Sequence, residues 1–266
     1  MKKRLDVLLV EKGMFASREK AKSNIMAGNV FVDNFLVDKV GTNIDENAVI
    51  TIKSDAIPYV GRGGLKLEKA LKEFDLSVDC KICMDIGAST GGFTDCMLQN
   101  GASKVYSIDV GYGQLDYKLR INEKVVCMER TNFRYLKKEQ IFDEIDFAVI
   151  DVSFISLKII FPKLKEFLSK EFEVVSLIKP QFESQRHEVG KNGIVRDISV
   201  HQRVIKQVIE YAKESEIYIK NLTFSPIKGQ KGNIEYLAYF SNKVYNFEDT
   251  KIDEIVEISH ECLDKK

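Results

Sequence analysis

The stretch Met84-Asp85-Ile86-Gly87-Ala88-Ser89-Thr90-Gly91-Gly92-Phe93-Thr94 combines a leading acid, three glycines and the hydroxyls of Ser89 and Thr90. Glycine lets backbone approach a ligand closely, and a helix beginning here offers unpaired N–H groups. Asp109 closes the next apolar run, 104–108, at the distance where βαβ nucleotide sites grip ribose hydroxyls. These residues describe a nucleotide-type pocket. A second group lies at the ends of other apolar runs. Asp151 follows 147–150, Lys179 follows 174–178, Glu235 opens 236–240, and Lys66 begins a helical pattern. Ligands of open α/β sheets bind beyond the carboxyl ends of the strands. Two lysines and two acids converging on one strand edge are not expected by accident. Taken singly, Lys66 also reads as a solvated helix residue and Lys179 as a plain strand-end charge.

Dinucleotide sites seat a pyrophosphate on Gly-x-Gly-x-x-Gly. Here the order is Asp-x-Gly-x-x-x-Gly-Gly, and a leading carboxylate repels pyrophosphate but suits a ligand carrying an ammonium group. An NAD site and a ligand-free strand–helix turn remain alternatives on these residues alone. The pattern resembles motif I of S-adenosylmethionine (SAM)-dependent methyltransferases. That resemblance implies SAM as cofactor, contacted by Asp85, Gly87, Ser89, Thr90, Gly91, Gly92 and Phe93, with Asp109 on its ribose.

The elements that must position these groups are legible from periodicity. Residues 81–84 form a short apolar run before the glycine loop, and Phe93, Met97 and Leu98 after it fall at helical spacing, capped by Asn100-Gly101. Leu65, Leu67, Ala70, Leu71 and Phe74 make another helix face. Apolar runs at 125–128, 147–150, 174–178, 217–222 and 236–240 alternate with helical patterns, which predicts a mostly parallel, doubly wound α/β sheet with helices on both faces. The last two runs are joined through Ser225-Pro226, Gly229 and Gly232 without a helix, so they pair antiparallel at an edge. The tail after about Asp249 reads as a terminal amphipathic helix.

Upstream lies a small α+β unit. Arg4 to Glu11 reads as a short helix closed by Gly13. Ser17 caps a second helix that ends at Gly28, and Val30–Val32 with residues 35–37 forms a hairpin around Asp33-Asn34. Residues 48–52 supply another strand. A linker, extended before Pro58 and glycine-rich at Gly61-Arg62-Gly63-Gly64, separates the units. The expected division is 1–58, a linker 59–64, and 65–266.

Lysine plus arginine and aspartate plus glutamate number 40 each, so net charge is silent about nucleic acid. Its distribution is not. Residues 1–30 hold seven basic side chains (Lys2, Lys3, Arg4, Lys12, Arg18, Lys20, Lys22) against three acids, and 31–58 hold two against five. One basic face on the small unit follows. Asp6 and Glu11-Lys12 interrupt the apolar run after Met1-Lys2-Lys3-Arg4, which argues against a signal peptide, and no stretch approaches the roughly 18–20 apolar residues of a spanning helix. A soluble, cytoplasmic protein without membrane association is expected. The five cysteines fit free thiols in a reducing compartment, and Cys80-x-x-Cys83 reads as packing, with no metal expected.

Arg4-Leu5-Asp6, followed by Ser17-Arg18-x-x-Ala21-x-x-x-Ile25-x-x-Gly28-x-Val30-x-Val32, resembles the alpha-L RNA-binding domain of a small-subunit ribosomal protein and many pseudouridine synthases. The likeness spans about residues 3–53 and departs at Asn34-Phe35, which suggests a longer hairpin loop. It implies an RNA-facing surface of Arg4, Arg18, Lys20 and Lys22, joined by Arg62 of the linker. Lys66, Asp151, Lys179 and Glu235 match in order the Lys–Asp–Lys–Glu tetrad of FtsJ-type ribose methyltransferases. The two domains together, with 151–157 (Asp-Val-Ser-Phe-Ile-Ser-Leu), 179–183 (Lys-Pro-Gln-Phe-Glu), 190–197 and Glu129-Arg130-Thr131-Asn132, resemble the TlyA (haemolysin A) family of rRNA 2′-O-methyltransferases. By that resemblance Asn132 and Asp151 also face the cofactor, and the partner is ribosomal RNA or a ribosomal subunit, with no stable protein partner evident. A ribose hydroxyl must lose its proton as it attacks the sulfonium methyl, and a lysine in its neutral form can accept it. Lys179 is the expected base, Lys66 the second cation. A membrane-lytic protein, a non-catalytic RNA binder and a small-molecule O-methyltransferase are the rival readings. Asp151-Val152-Ser153-Phe154 is not the Asp/Asn-Pro-Pro-Tyr loop of amine methyltransferases, and no cysteine follows a proline as a base-carbon nucleophile does.

Overall fold

Apolar residues at 5, 8 and 9 and at 21 and 25 lie on the inner faces of two short helices, and with Val30, Val32 and Ile44 they form one small core. A computed structural model describes every residue except 1, 27, 34, 53–56, 230 and 264–266. Two units result, 1–62 and 63–266.

The first runs β1 (Lys2–Arg4), α1 (Leu5–Glu11), α2 (Arg18–Met26), β2 (Val30–Val32), β3 (Phe35–Leu36), β4 (Asn43–Asp45) and β5 (Ile50–Ile52). The Lys20 amide donates to Ser17 Oγ at 3.3 Å, so Ser17 caps α2. Central β2 pairs antiparallel with β3 and β5. The first helix starts one residue later than its periodicity suggests, because Lys2–Arg4 pair as a strand with Asn43–Asp45. In the hairpin Val32 lies opposite Phe35, so two residues join the strands and the longer loop expected from the sequence is not formed. Asn34 itself, and the extended linker at 54–56, fall outside the described residues.

The second unit opens with α3 (Gly63–Glu73), followed by β6 (Ile82–Ile86), α4 (Gly92–Gln99), β7 (Lys104–Ile108), α5 (Tyr117–Arg120), β8 (Val125–Met128), β9 (Ile145–Ile150), α6 (Leu157–Lys165), β10 (Leu168–Ile178), α7 (Pro180–Glu183), α8 (Ile198–Glu214), β11 (Tyr218–Phe224), β12 (Tyr236–Ser241) and α9 (Thr250–Leu263). Gly63 and Gly64 belong to the helix, not to the glycine-rich linker. They sit in its first turn, where Gly64 is buried and a Cβ on Gly63 would stand 3.3 Å from the Phe93 ring. Close packing outweighs glycine's poor helix propensity there.

The seven strands lie in the order β11-β12-β10-β9-β6-β7-β8. All ladders are parallel except those of β12, which runs antiparallel to both neighbours. This is the doubly wound α/β sheet expected from the sequence, with one reversed strand next to its edge. The central strands bury Met84, Ile86, Ala148, Ile150, Val174 and Ile178 between helical layers, and α9 covers the core through Ile252 and Val256. Of the paired cysteines, Cys83 is core as expected, while Cys80 is exposed. Among the described residues no helix is long and apolar enough to cross a membrane, and no group of His, Cys, Asp and Glu could hold a metal.

Candidate active site

Sheet register brings the strand-end charges together. Ile150 of β9 lies beside Ile86 and Ser176, and Ile178 of β10 lies opposite Tyr236 of β12. Asp151, Lys179 and Glu235 are the next residues outward on each strand, so all three emerge at one edge. Glu235 can join only because β12 is reversed. Lys66 reaches them from the first turn of α3.

The four form a charge-balanced cluster. Lys66 Nζ donates to Glu235 Oε2 at 2.6 Å and lies 3.8 Å from Asp151 Oδ2. Lys179 Nζ is 2.5 Å from Asp151 Oδ1 and donates to Ser153 Oγ at 3.2 Å. Asp151 thus lies between two ammonium groups. Burial alone would raise its carboxyl, but Lys66 and Lys179 more than offset that and hold it below the usual carboxylate range. Its side chain, 21% exposed, is also the most open of the four, since Lys66, Lys179 and Glu235 range from 4% to 10%. The cluster therefore presents its carboxylate centre and the adjoining amines to whatever enters from the strand edge.

The glycine loop comes close to this cluster. Gly87 has φ +89°, and a Cβ there would fall 2.4 Å from the Asp151 carbonyl oxygen. Only glycine lets the two loops meet so closely. Ser89 and Thr90 are exposed, with Ser89 at φ +50°, and Gly91, φ +92°, precedes α4. Asp109, at the end of β7, accepts from the Ser89 amide at 2.8 Å through Oδ2 and from the Gly111 amide at 2.7 Å through Oδ1. It fixes the loop and keeps lone pairs for hydroxyl donors. Asn132 Oδ1 caps a short turn by accepting from the Arg134 amide at 3.2 Å.

Two candidate contacts are placed differently from the sequence expectation. Asp85 is wholly buried beneath the loop, with Oδ2 accepting from Thr94 N at 3.0 Å and Thr94 Oγ1 at 2.7 Å. Burial pushes its carboxyl up to about 7, with the charges of Asp151 and Asp109 adding to the effect. Its Oδ1 is buried without a hydrogen-bond partner. Asp85 is therefore a negative charge held in reserve under the pocket, suited to a cationic ligand above it by field rather than by contact. Phe93, only 3% exposed, packs inward against α3. The exposed hydroxyls, the close-approach glycines, Asp109 and this buried acid fit a nucleoside ligand that carries positive charge.

Periodicity did not single out the supporting shell. Gln181 Nε2 approaches Glu235 Oε1 at 3.5 Å. Glu183 accepts from Ser156 Oγ and the Leu157 amide, both at 2.7 Å, and so ties the Lys179 loop to the start of α6, just beyond the Asp151 loop. The one signal was their place in the Lys-Pro-Gln-Phe-Glu run.

In the smaller unit Arg4 and Arg18 both turn toward Asp6. Arg4 Nε is 3.0 Å from Oδ1 and Arg18 Nη2 is 2.7 Å from Oδ2, and the buried Asp6 carboxyl is held at about 2. The arginines stay half exposed and act as structural clamps as well as surface cations. Lys20 is exposed, while Lys22 and Arg62 are half-buried.

Known proteins carry the same combination. Residues 59–242 match the family model of FtsJ-like methyltransferases and residues 3–50 that of the S4 domain. Over 237 residues, 89% of this chain and 88% of the relative, the chain is 39% identical to 16S/23S rRNA (cytidine-2′-O)-methyltransferase TlyA of Mycobacterium tuberculosis. It is 48% identical over 239 residues to Hemolysin A of Brachyspira hyodysenteriae, covering 89% of this chain and 99% of that one. A solved structure from Streptococcus thermophilus, provisionally named a hemolysin, superposes with a TM-score of 0.79 at 47% identity, covering 98% and 96% of the two chains. With a tetrad on a reversed-strand sheet behind an S4 domain, and relatives this similar along most of their length, the chain belongs to the FtsJ-like methyltransferases and, among them, to the TlyA (hemolysin A) family.

Proposed function

We propose that this chain transfers the methyl group of SAM to a ribose 2′-hydroxyl of ribosomal RNA, with unit 63–266 performing the chemistry and unit 1–62 supplying RNA affinity. The reaction follows the name of the Mycobacterium tuberculosis relative. The observation that carries it here is the pair of buried lysines bracketing Asp151, one close approach away from a glycine loop shaped for a nucleoside. When bound, SAM supplies an electrophilic methyl on a sulfonium. Loop 87–93 and Asp109 would hold its adenosine end, and Asp151 its charged end.

The chain's own residues handle the proton. Lys179 in its neutral form, positioned by Asp151 and Ser153, accepts it from the attacking hydroxyl and becomes the ammonium that Asp151 pairs. Lys66, fixed by Glu235, offsets the negative charge that grows on that oxygen. Holding hydroxyl and methyl in line contributes alongside the base. Single-turnover transfer of labelled methyl to rRNA or ribosomal subunits tests this. Lys179→Ala should slow transfer by about 10²–10⁴-fold while SAM and RNA affinities change little. Lys179→Arg should not restore it, because a guanidinium keeps its proton. Near-normal transfer by Lys179→Ala would remove the lysine as base, and label entering only small acceptors would reject RNA as substrate.

A further inference from the structure

Between Ile194–Arg196, ahead of α8, and Lys228, Gly232 and Ile234, ahead of β12, lies a cavity of about 240 Å³ that the reaction above does not use. Its apolar floor is Ile194, Val195 and Ile234, and its rim carries Arg196 and Lys228. Lys231 adds a third cation nearby, with Nζ 3.8 Å from the position a Cβ on Gly193 would take. Arg196 is exposed, and among the described residues no carboxylate pairs with it.

The walls are pinned by one buried side chain. Asn233, 3% exposed, accepts from the Val195 amide at 3.0 Å and donates to the Gly193 carbonyl at 2.8 Å, while its own carbonyl accepts from the Gly229 amide at 2.9 Å. Asn233 therefore ties Gly193 and Val195 of one loop to Gly229 of the other, so this part of the rim is already held before a ligand arrives. Rim and tetrad are also joined. Ile234 lines the cavity and the next residue, Glu235, bonds Lys66. A Cβ on Gly229 would fall 2.4 Å from Glu235 Oε1, so the rim loop lies directly against the tetrad.

We propose that this cavity binds a phosphodiester of the RNA strand that carries the target ribose, gripping it through Arg196 and Lys228 close to the tetrad. The proposal rests on the RNA-methylating reading. Cations on a preformed rim contact backbone without reading bases, so the site sets register and leaves base choice to other contacts. Arginine matches phosphate geometry with its fork, and the lysine adds a point charge.

The test uses the full chain with an rRNA fragment, measuring KM and kcat for methyl transfer and, separately, RNA affinity across a salt series. Arg196→Gln and Lys228→Gln should each raise KM for RNA about tenfold, as expected for losing one charge-assisted contact, with the loss falling on KM rather than kcat. Each should also flatten the dependence of log affinity on log salt by about 0.7–1, one counterion's share. SAM affinity should hold, which reports an intact fold, and Arg196→Lys should keep the salt slope. Unchanged KM and salt slopes in both glutamine variants, with SAM binding intact, would overturn the proposal. The affinity arm needs no catalysis. Absence of methyl transfer by the wild type would therefore count against the assigned reaction, leaving the salt slope to decide the cavity.

Discussion

Replacing Asp85 with asparagine should change how stability depends on pH, and by an amount the structure sets. The carboxyl is fully buried, one oxygen serves Thr94, and the other has no partner. Its value rises from 3.8 to about 7, chiefly through burial. A folded-state value above the unfolded one means the native chain keeps a proton that the unfolded chain has released. Stability therefore falls as pH rises from about 4 to about 7, and this group contributes no further change above that. The interval is about 3 pH units, and at about 1.4 kcal/mol per unit the loss is at most about 4 kcal/mol. Asparagine can accept the Thr94 bonds but does not titrate, so its own cost is a constant offset. Urea unfolding of wild type and Asp85→Asn between pH 4.5 and 8 should show the variant gaining on the wild type by several kcal/mol, with the gain levelling off near neutrality. Parallel curves would refute the reasoning. The same titration couples to the cofactor, since a cation above the pocket favours ionised Asp85. SAM affinity of the wild type should climb through pH 7, and that of the variant should not.

Gly87→Ala should be among the most damaging single-methyl changes, because the new Cβ would meet the Asp151 carbonyl at 2.4 Å in a backbone with φ +89°. A loss of about 1–3 kcal/mol from strain alone is expected, read as a lower unfolding midpoint together with weakened SAM binding in calorimetry. Lys20→Glu combined with Lys22→Glu should weaken rRNA binding and flatten its salt dependence without altering SAM affinity. RNA binding unchanged by the pair would remove α2 from the RNA surface.

The tetrad was legible because each member borders a pattern. Asp151 and Lys179 end apolar runs, Glu235 begins one, and a sheet must bring such ends to its edge. The reversed strand was legible too, since Ser225-Pro226, Gly229 and Gly232 leave no room for a crossover helix. What escaped was whatever depends on partners distant in the chain. Lys2–Arg4 carries no strand pattern and becomes a strand only because Asn43–Asp45 lie alongside it. Gly63 and Gly64 look like a linker until the fold places them in the first turn of α3, where Phe93 packs against Gly63 and Gly64 is buried. Asp85 reads as a ligand contact from its lead position in the loop. Its burial under Thr94 is set by where α4 begins, which loop composition does not report. Asn233 and Gln181 lie on no periodic face, so only the folded loops reveal what they hold.

The two tetrad lysines are not equivalent in their surroundings. Lys66 lies between two carboxylates, bonded to Glu235 at 2.6 Å and 3.8 Å from Asp151, with Glu235 itself nearly sealed from solvent. A proton taken from Lys66 would leave Glu235 as a buried charge without its counterion, which is costly in a low-dielectric site. Among the described residues Lys179 pairs with one carboxylate, and that partner is the most open of the four and retains Lys66 beside it if Lys179 is neutral. Ser153, which accepts from Lys179 at 3.2 Å, can turn its hydroxyl and donate to the neutral amine instead. Both protonation states of Lys179 are thus hydrogen-bonded, whereas only the charged state of Lys66 satisfies its neighbours. On the proposed reaction this asymmetry would place the base at Lys179 and the fixed cation at Lys66, with Asp151 shared between them.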